Sequence, residues 1–164
     1  MKVELILEGG GMRGIYTAGV LDFFMDNKMK FFDITAVSAG VGVATSYLAN
    51  QRGRTLEIFQ KYSSDKRYLS VGSFVKTGSF FGIDFIFKEI PNVLLPFDYK
   101  QYDNSGMNLT AVVTNLATGE PEYVRIDDLQ KKIDYVIASS SLPIVSRPVE
   151  IDNKMLYDGG VADP

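Results

Sequence analysis

Three glycine-bearing turns, each at the end of a predicted strand, constrain this chain more than anything else in it: Gly9-Gly10-Gly11-Met12-Arg13-Gly14, Ala36-Val37-Ser38-Ala39-Gly40 and Asp158-Gly159-Gly160. Between them, strand and helix patterns alternate, which is the signature of an α/β fold. Val3 to Leu7 is a strand-length apolar run broken only by Glu4, and it enters the glycine loop directly. Ile15, Ala18, Gly19, Leu21 and Phe24-Met25 then recur at helical spacing as far as Asn27, a residue suited to a helix end. Ile34 to Val37 reads as a short buried strand. Ala39 to Ala49, small and apolar nearly throughout, reads as a helix packed closely on a sheet, and Thr55 to Tyr62 as another helix.

From Tyr68 to Tyr102 the alternation fails. This stretch holds nine of the twenty aromatic residues, with Pro91 and Pro96 placed to break any long helix, so it is expected to be a cap-like insertion; ordinary core is the competing reading. Regular structure resumes with a strand at Met107 to Leu116, which turns at Ala117 to Glu120 into an antiparallel partner, Glu122 to Ile126. Asp127-Asp128 opens a helix that runs to Ser139-Ser140-Ser141 and stops before Pro143. A hairpin of Pro148 to Ile151 and Lys154 to Tyr157, turning at Asp152-Asn153, delivers Asp158.

Composition narrows the chemistry. At 164 residues, 46% hydrophobic and 23% charged, the chain has the makings of one globular domain with a core of its own. A net charge of −3 gives no general attraction to nucleic acid. Locally, the bases Arg52, Arg54, Lys61, Lys66 and Arg67 outnumber Glu57 and Asp65, which is read chiefly as a solvated helix face and otherwise as a transient contact with a membrane surface. With no cysteine and no histidine, disulfides, thiol nucleophiles, thiolate metal sites and the Ser-His-Asp triad are all excluded. No metal or cofactor is expected. The glycine loop arrives too soon for a signal peptide, and no stretch approaches the ~20 apolar residues of a membrane span, so a cytoplasmic location is expected.

The loop Gly9-x-Gly11-x-x-Gly14 matches the dinucleotide fingerprint, but that reading needs an acid at the end of the second strand to hold a ribose. Asp33 stands at the start of that strand, and Val37-Ser38 occupies its end. The favoured reading is an oxyanion hole, because consecutive glycines let backbone donors approach an anion unobstructed and the following helix adds a favourable field. Arg13 is expected to brace the loop. Ser38 lies between a buried strand and a helix of small residues, as a nucleophile on a sharp turn requires; small residues are needed two positions before and after it, and Ala36 and Gly40 meet that size. The run Ser139-Ser140-Ser141 supplies the decoy nucleophiles. Asp-Gly alone can be a simple hairpin turn. Without histidine, however, a serine hydrolase needs a carboxylate base, and Asp158 is the carboxylate at a glycine-flanked strand end, with Asp152 and Asp163 as the alternatives.

Gly-Gly-Gly-Met-Arg-Gly, then Val-Ser-Ala-Gly, then Asp-Gly-Gly, in this order and spacing, resembles the patatin-like phospholipase family. Leu142-Pro143 and Val161-Ala162-Asp163-Pro164 extend the resemblance over essentially the whole chain. It implies a three-layer α/β/α fold with a mainly parallel sheet, and hydrolysis of acyl esters of lipids through a Ser-Asp dyad and an acyl-enzyme. On that resemblance Ser38 is the nucleophile, Asp158 the base, and the backbone of Gly10, Gly11 and Met12 the oxyanion hole. Two features depart from the family pattern. Ala36 replaces a glycine, and the chain stops at Pro164 where family members continue, which implies the N-terminal part of the family domain. The alternatives are a dinucleotide-binding domain and a catalytically silent lipid-binding domain.

Overall fold

The computed structural model describes residues 3–164. Met1 and Lys2, the start of the stretch read against a signal peptide, lie outside the described residues. The chain runs β1 (Glu4–Leu7), a 3-10 turn at Gly11–Arg13, α1 (Gly14–Asp26), β2 (Asp33–Val37), α2 (Ala39–Leu48), α3 (Arg54–Tyr62) and α4 (Val71–Thr77). A π-helical segment (Phe85–Leu94) and α5 (Tyr99–Asp103) lead into β3 (Asn108–Asn115), β4 (Pro121–Arg125), α6 (Ile133–Ser139), β5 (Val149–Ile151) and β6 (Lys154–Asp158).

The six strands form one mixed sheet. β1, β2 and β3 are parallel, whereas β3 meets both β4 and β6 antiparallel and β5 closes a hairpin onto β6. The expected parallel sheet is therefore the half that carries the glycine loop and Ser38. The other half is antiparallel, because the two-residue turn at Asp152-Asn153 and the tight connection from β3 to β4 leave no room for the crossover that parallel pairing needs. Both turn residues have positive φ, 51° and 61°, as a primed hairpin turn demands.

β3 is the organising strand. Leu109, Ala111, Val112, Val113 and Thr114 are all buried, the near-continuous pattern of a strand covered on both faces. The register shows which strands share each of its edges. Thr110, Ala111 and Val112 pair with both β2 and β4, while Val113 and Thr114 pair with both β4 and β6. So β4 holds one edge of β3 and β2 and β6 divide the other. β2 runs up that edge and ends at Val37 opposite Val112; β6 runs down it and ends at Asp158 opposite Val113. The C-terminal ends of β2 and β6 meet head to head.

Leu21, Ile34, Val41, Leu48 and Leu109, each 1% exposed or less, anchor the main core between the parallel strands and α1 and α2. Each such burial contributes about 1.5–3 kcal/mol. α2 approaches so closely that a side chain at Gly40 would have its Cβ 2.6 Å from the Leu7 carbonyl oxygen and 2.9 Å from that of Glu8. Ala36, by contrast, is absorbed without a gap at 1% exposure in the same core.

The aromatic stretch divides in two. Tyr102 is buried in the main core, and Phe87, Phe97 and Tyr99 pack against it. The earlier part, around α4, lies further out, with Phe74 stacked on Phe80 at 4.4 Å and Val71 and Val75 exposed. Pro91 does not end its helix. It sits inside the π-helical segment, whose wide turns continue past it to Leu95, where the amide donates to the Ile90 carbonyl. The helix expected from Asp127 begins only at Ile133. The Asp128 carboxylate accepts from the Lys131 amide and holds the preceding residues in turns.

The local excess of basic residues is mostly spent within the fold. Arg52 pairs with Asp26, Lys61 with Glu57, and Arg67 with both Asp65 and Glu89. Arg54 is buried, donates to the carbonyls of Leu95 and Pro96, and lies over the Phe97 ring. Among the described residues no helix is long and apolar enough to cross a membrane.

Candidate active site

Ser38 occupies the single residue between β2 and α2, with φ 55° and ψ −129°. A non-glycine residue held there carries about 1–3 kcal/mol of backbone strain and persists only where its surroundings over-determine it. Those surroundings are visible. The Ser38 carbonyl accepts from the Val41 amide at 3.0 Å, and the Ser38 amide donates to Ser139 Oγ at 3.1 Å. Ala39, the next residue, begins the helix against Gly14, whose added Cβ would sit 3.4 Å from the Ala39 Cβ. Ser38 is 9% exposed, sheltered but reachable.

The glycine loop leaves β1 beside this turn. A Cβ on Gly9 would lie 2.9 Å from Ser38 Cβ and 3.5 Å from its Oγ, so glycine is required for the two backbones to come this close. Gly11 has φ 54° and open space where a side chain would stand. The amides of Gly9, Gly10, Gly11 and Met12 donate to no acceptor among the described residues, whereas the Arg13 amide closes the 3-10 turn onto the Gly10 carbonyl at 3.0 Å. The Arg13 side chain folds along Gly10, with Cβ and Nε 3.5 and 3.6 Å from the point a Gly10 Cβ would occupy. A groove of about 600 Å³ opens beside the loop, bordered by Gly9, Met12, Ile15 and Tyr16; Ser38 is not part of its wall.

Asp158 is fully buried. Its amide donates to the Ser141 carbonyl at 2.9 Å, its carbonyl accepts from Thr114 Oγ1 at 2.8 Å, and Oδ1 accepts from the Gly160 amide at 2.9 Å. Oδ2 is buried and has no hydrogen-bond partner among the described residues. Burial pushes the carboxyl above the ordinary carboxylate range; the nearby Ser38 hydroxyl and the Gly160 amide oppose that rise. Ser38 is thus close enough to influence the carboxylate, while its hydroxyl falls outside hydrogen-bond geometry to Oδ2, which leaves the pair adjacent and not closed. Gly159 is pressed on β3: a Cβ there would lie 2.3 Å from the Val112 carbonyl oxygen. One at Gly160 would lie 3.2 Å from Asp158 Oδ1 and 3.9 Å from Val37 Cγ2, so the three strand-end turns are drawn to one place.

The competing residues stand elsewhere. Asp33 is at the far end of β2, where it accepts from the Asn108 side chain at 2.7 Å, and no acid occupies the strand end that a ribose would need. Asp152 and Asp163 are exposed and engaged with the hydroxyls of Tyr135 and Tyr123. Among the described residues there is no cluster of acids fit to hold a metal ion.

Ser139 and Ser141 are buried to 1% or less, and the serine run lies against both turns, through the Ser139 hydroxyl to Ser38 and the Ser141 carbonyl to Asp158. Thr114 joins them from β3. Sequence reasoning named the serine run only as decoy nucleophiles and did not single out Thr114; the available signal was a polar side chain at the end of, or within, an otherwise apolar buried stretch.

Residues 5–164 match the family described as patatin-like phospholipase. The chain is similar to the Escherichia coli (strain K12) protein named uncharacterized protein YjjU, 28% identical over 166 residues that cover 99% of this chain and 46% of the relative. It is also similar to proteins of Mycobacterium bovis and Mycobacterium tuberculosis, each named as an uncharacterized NTE family protein, 23% identical over 163 residues covering 99% of this chain and 44% of theirs. The chain spans less than half the length of these relatives. Since the family match takes in nearly every residue, all three glycine-bearing turns included, the chain belongs to the patatin-like phospholipase family.

Proposed function

We propose that this protein is a serine acyl hydrolase that cleaves acyl esters of lipids, with Ser38 as nucleophile, Asp158 as its base and the Gly9–Met12 amides as oxyanion donors. The observation that carries this reading is the buried, unpartnered Oδ2 of Asp158 beside the strained Ser38 turn. A buried carboxylate oxygen without a donor is unfavourable by itself and is explained by a proton it is there to take.

In the proposed reaction, Ser38 Oγ attacks the ester carbonyl carbon while its proton passes to Asp158 Oδ2. The carbonyl oxygen becomes an oxyanion, and the unengaged loop amides, together with the N-terminal field of α1, stabilise it. The carbon–oxygen bond to the leaving alcohol then breaks, and the alcohol departs with the proton held by Asp158, leaving the acyl group on Ser38. Water attacks this acyl-enzyme, gives a proton to Asp158, and the released serine oxygen recovers it as the fatty acid leaves. No histidine is needed, because the burial that raises the Asp158 pKa makes it a stronger base than an exposed aspartate.

Treatment of the full-length protein with a fluorophosphonate, followed by peptide mass spectrometry, tests the reading. Covalent modification of Ser38, lost in Ser38→Ala together with hydrolysis of a soluble short-chain ester, is the expected result. Modification of another serine overturns the assignment, and a folded protein that reacts with neither probe fits a silent lipid-binding domain.

A further inference from the structure

α6 ends in three consecutive serines whose hydroxyls behave differently. Ser140 Oγ and Ser141 Oγ donate back to the carbonyls four residues earlier, Val136 at 3.1 Å and Ile137 at 2.8 Å, the usual habit of a serine at a helix end, and Ser140 Oγ has a longer second contact, 3.4 Å, with the Ser38 carbonyl oxygen. Ser139 Oγ turns away from its own helix. It lies 2.7 Å from the Val112 carbonyl oxygen and 3.1 Å from the Ser38 amide nitrogen, and it is completely buried. A carbonyl oxygen can only accept and an amide can only donate, so the hydroxyl accepts from Ser38 and donates to Val112. The chain of bonds runs from Ser38 N–H through the hydroxyl to the Val112 C=O.

That position is the junction on β3 where β2 has ended and β6 has not begun, opposite Val112 and Val113. The hydroxyl stands in for a missing rung of the sheet. It ties the amide of the strained residue to the most buried strand, and two residues later the Ser141 carbonyl takes the Asp158 amide at 2.9 Å. One short stretch therefore fixes the backbone of both strand ends.

We propose that Ser139 is a positioning residue for Ser38, its hydroxyl splicing the Ser38 amide onto the Val112 carbonyl and so holding the turn at the angle that aims Oγ at Asp158. This rests on the reading of Ser38 as nucleophile. Ser139 touches neither substrate nor the reacting atoms; it acts through the Ser38 backbone. Removing it lets the turn relax, and a misplacement of the order of 1 Å at the reacting atom is enough for a loss of up to about 10²-fold.

The test compares Ser139→Ala with Ser105→Ala in the full-length protein. Ser105 is another buried serine, whose hydroxyl serves only the Met107 backbone before β3 begins. For Ser139→Ala, kcat on a soluble short-chain ester is expected to fall about 10–100-fold with KM within about twofold, and the rate of fluorophosphonate labelling at Ser38 to fall alongside. Ser105→Ala is expected to keep wild-type kcat. Should Ser139→Ala not fold, Ser139→Cys, of similar volume but with a much weaker hydrogen-bonding group, is expected to show the same kcat loss. Wild-type kcat in either folded Ser139 variant, or an equal loss in Ser105→Ala, overturns the positioning role. Labelling of the wild type at a residue other than Ser38 overturns the nucleophile assignment and this role together, whereas labelling at Ser38 at an unchanged rate in Ser139→Ala overturns the positioning role alone.

Discussion

The two strand ends that meet on β3 are built in opposite ways. At Asp158 the backbone is relaxed, φ −48° and ψ 128°, and the turn caps itself through the Gly160 amide; only a side-chain oxygen is left unsatisfied. At Ser38 the side chain is unremarkable and the backbone carries the strain, with φ 55° in a residue that has a Cβ. The aspartate turn is written mostly in its own three residues, while the serine turn depends on a hydroxyl 101 residues away. A site assembled this way stores its unfavourable features separately: charge burial at one strand end, backbone strain at the other.

The sharpest way to separate them is Asp158→Asn. On the proposed mechanism it removes the base and lowers turnover roughly 10³–10⁴-fold, with no change of backbone. In the wild type, kcat/KM on a soluble ester is expected to rise with pH along a limb set by Asp158 and displaced above the ordinary carboxylate range, since the base works only when deprotonated. A pH profile without such a limb, or an active Asp158→Asn enzyme, would assign the base elsewhere.

Next in size comes the loop that faces the strained end. Gly9→Ala places a Cβ 2.9 Å from Ser38 Cβ and is expected to lower turnover roughly 10²-fold by displacing the nucleophile. Gly10→Ala meets only ordinary contacts with Arg13, so its effect is expected to be far smaller. Equal kinetics for the two variants would break the link between the loop and Ser38.

On the aspartate side the demand is steric. Gly159→Ala drives a Cβ to 2.3 Å from the Val112 carbonyl oxygen, for an expected destabilisation of about 1–3 kcal/mol, whereas Gly160→Ala has only the movable Asp158 carboxylate at 3.2 Å to displace. Chemical denaturation of both variants checks the difference.

The smallest effect is the most diagnostic of charge burial. Because the folded state raises the Asp158 pKa, the protonated form is the comfortable one: this group adds stability below the ordinary carboxylate pKa and loses it as pH rises through the folded value. Asp158→Asn is therefore expected to be more stable than wild type at neutral pH, by about 1–2 kcal/mol, with the difference closing in acid. Thermal denaturation at both pH values measures it; a mutant less stable than wild type at neutral pH would mean that the carboxylate is satisfied in solution.

Local chemistry in the sequence determined much of this protein. Apolar runs of strand length, small residues at helical spacing, and the Asp152-Asn153 turn placed β1, β2, α1, α2, β5 and β6 close to their observed limits. The three glycine-bearing turns pointed to Ser38 and Asp158, because close backbone approach leaves a composition that is readable residue by residue. Tertiary structure alone decided three things. Pro91 sits within a π-helical segment, since the packing of Phe85 and Ile90 outweighs a missing amide. Arg52 and Arg67 are paired with Asp26 and Glu89, partners that spacing along the chain does not reveal. And Ser139, one of three identical neighbours, gives its hydroxyl wholly to the Ser38 amide and the Val112 carbonyl, while the hydroxyls of the other two bond first to their own helix. A hydroxyl's partner depends on which backbone groups the sheet leaves unpaired beside it, and that is set by where β2 ends and β6 arrives on β3, a matter of register between segments far apart in the chain.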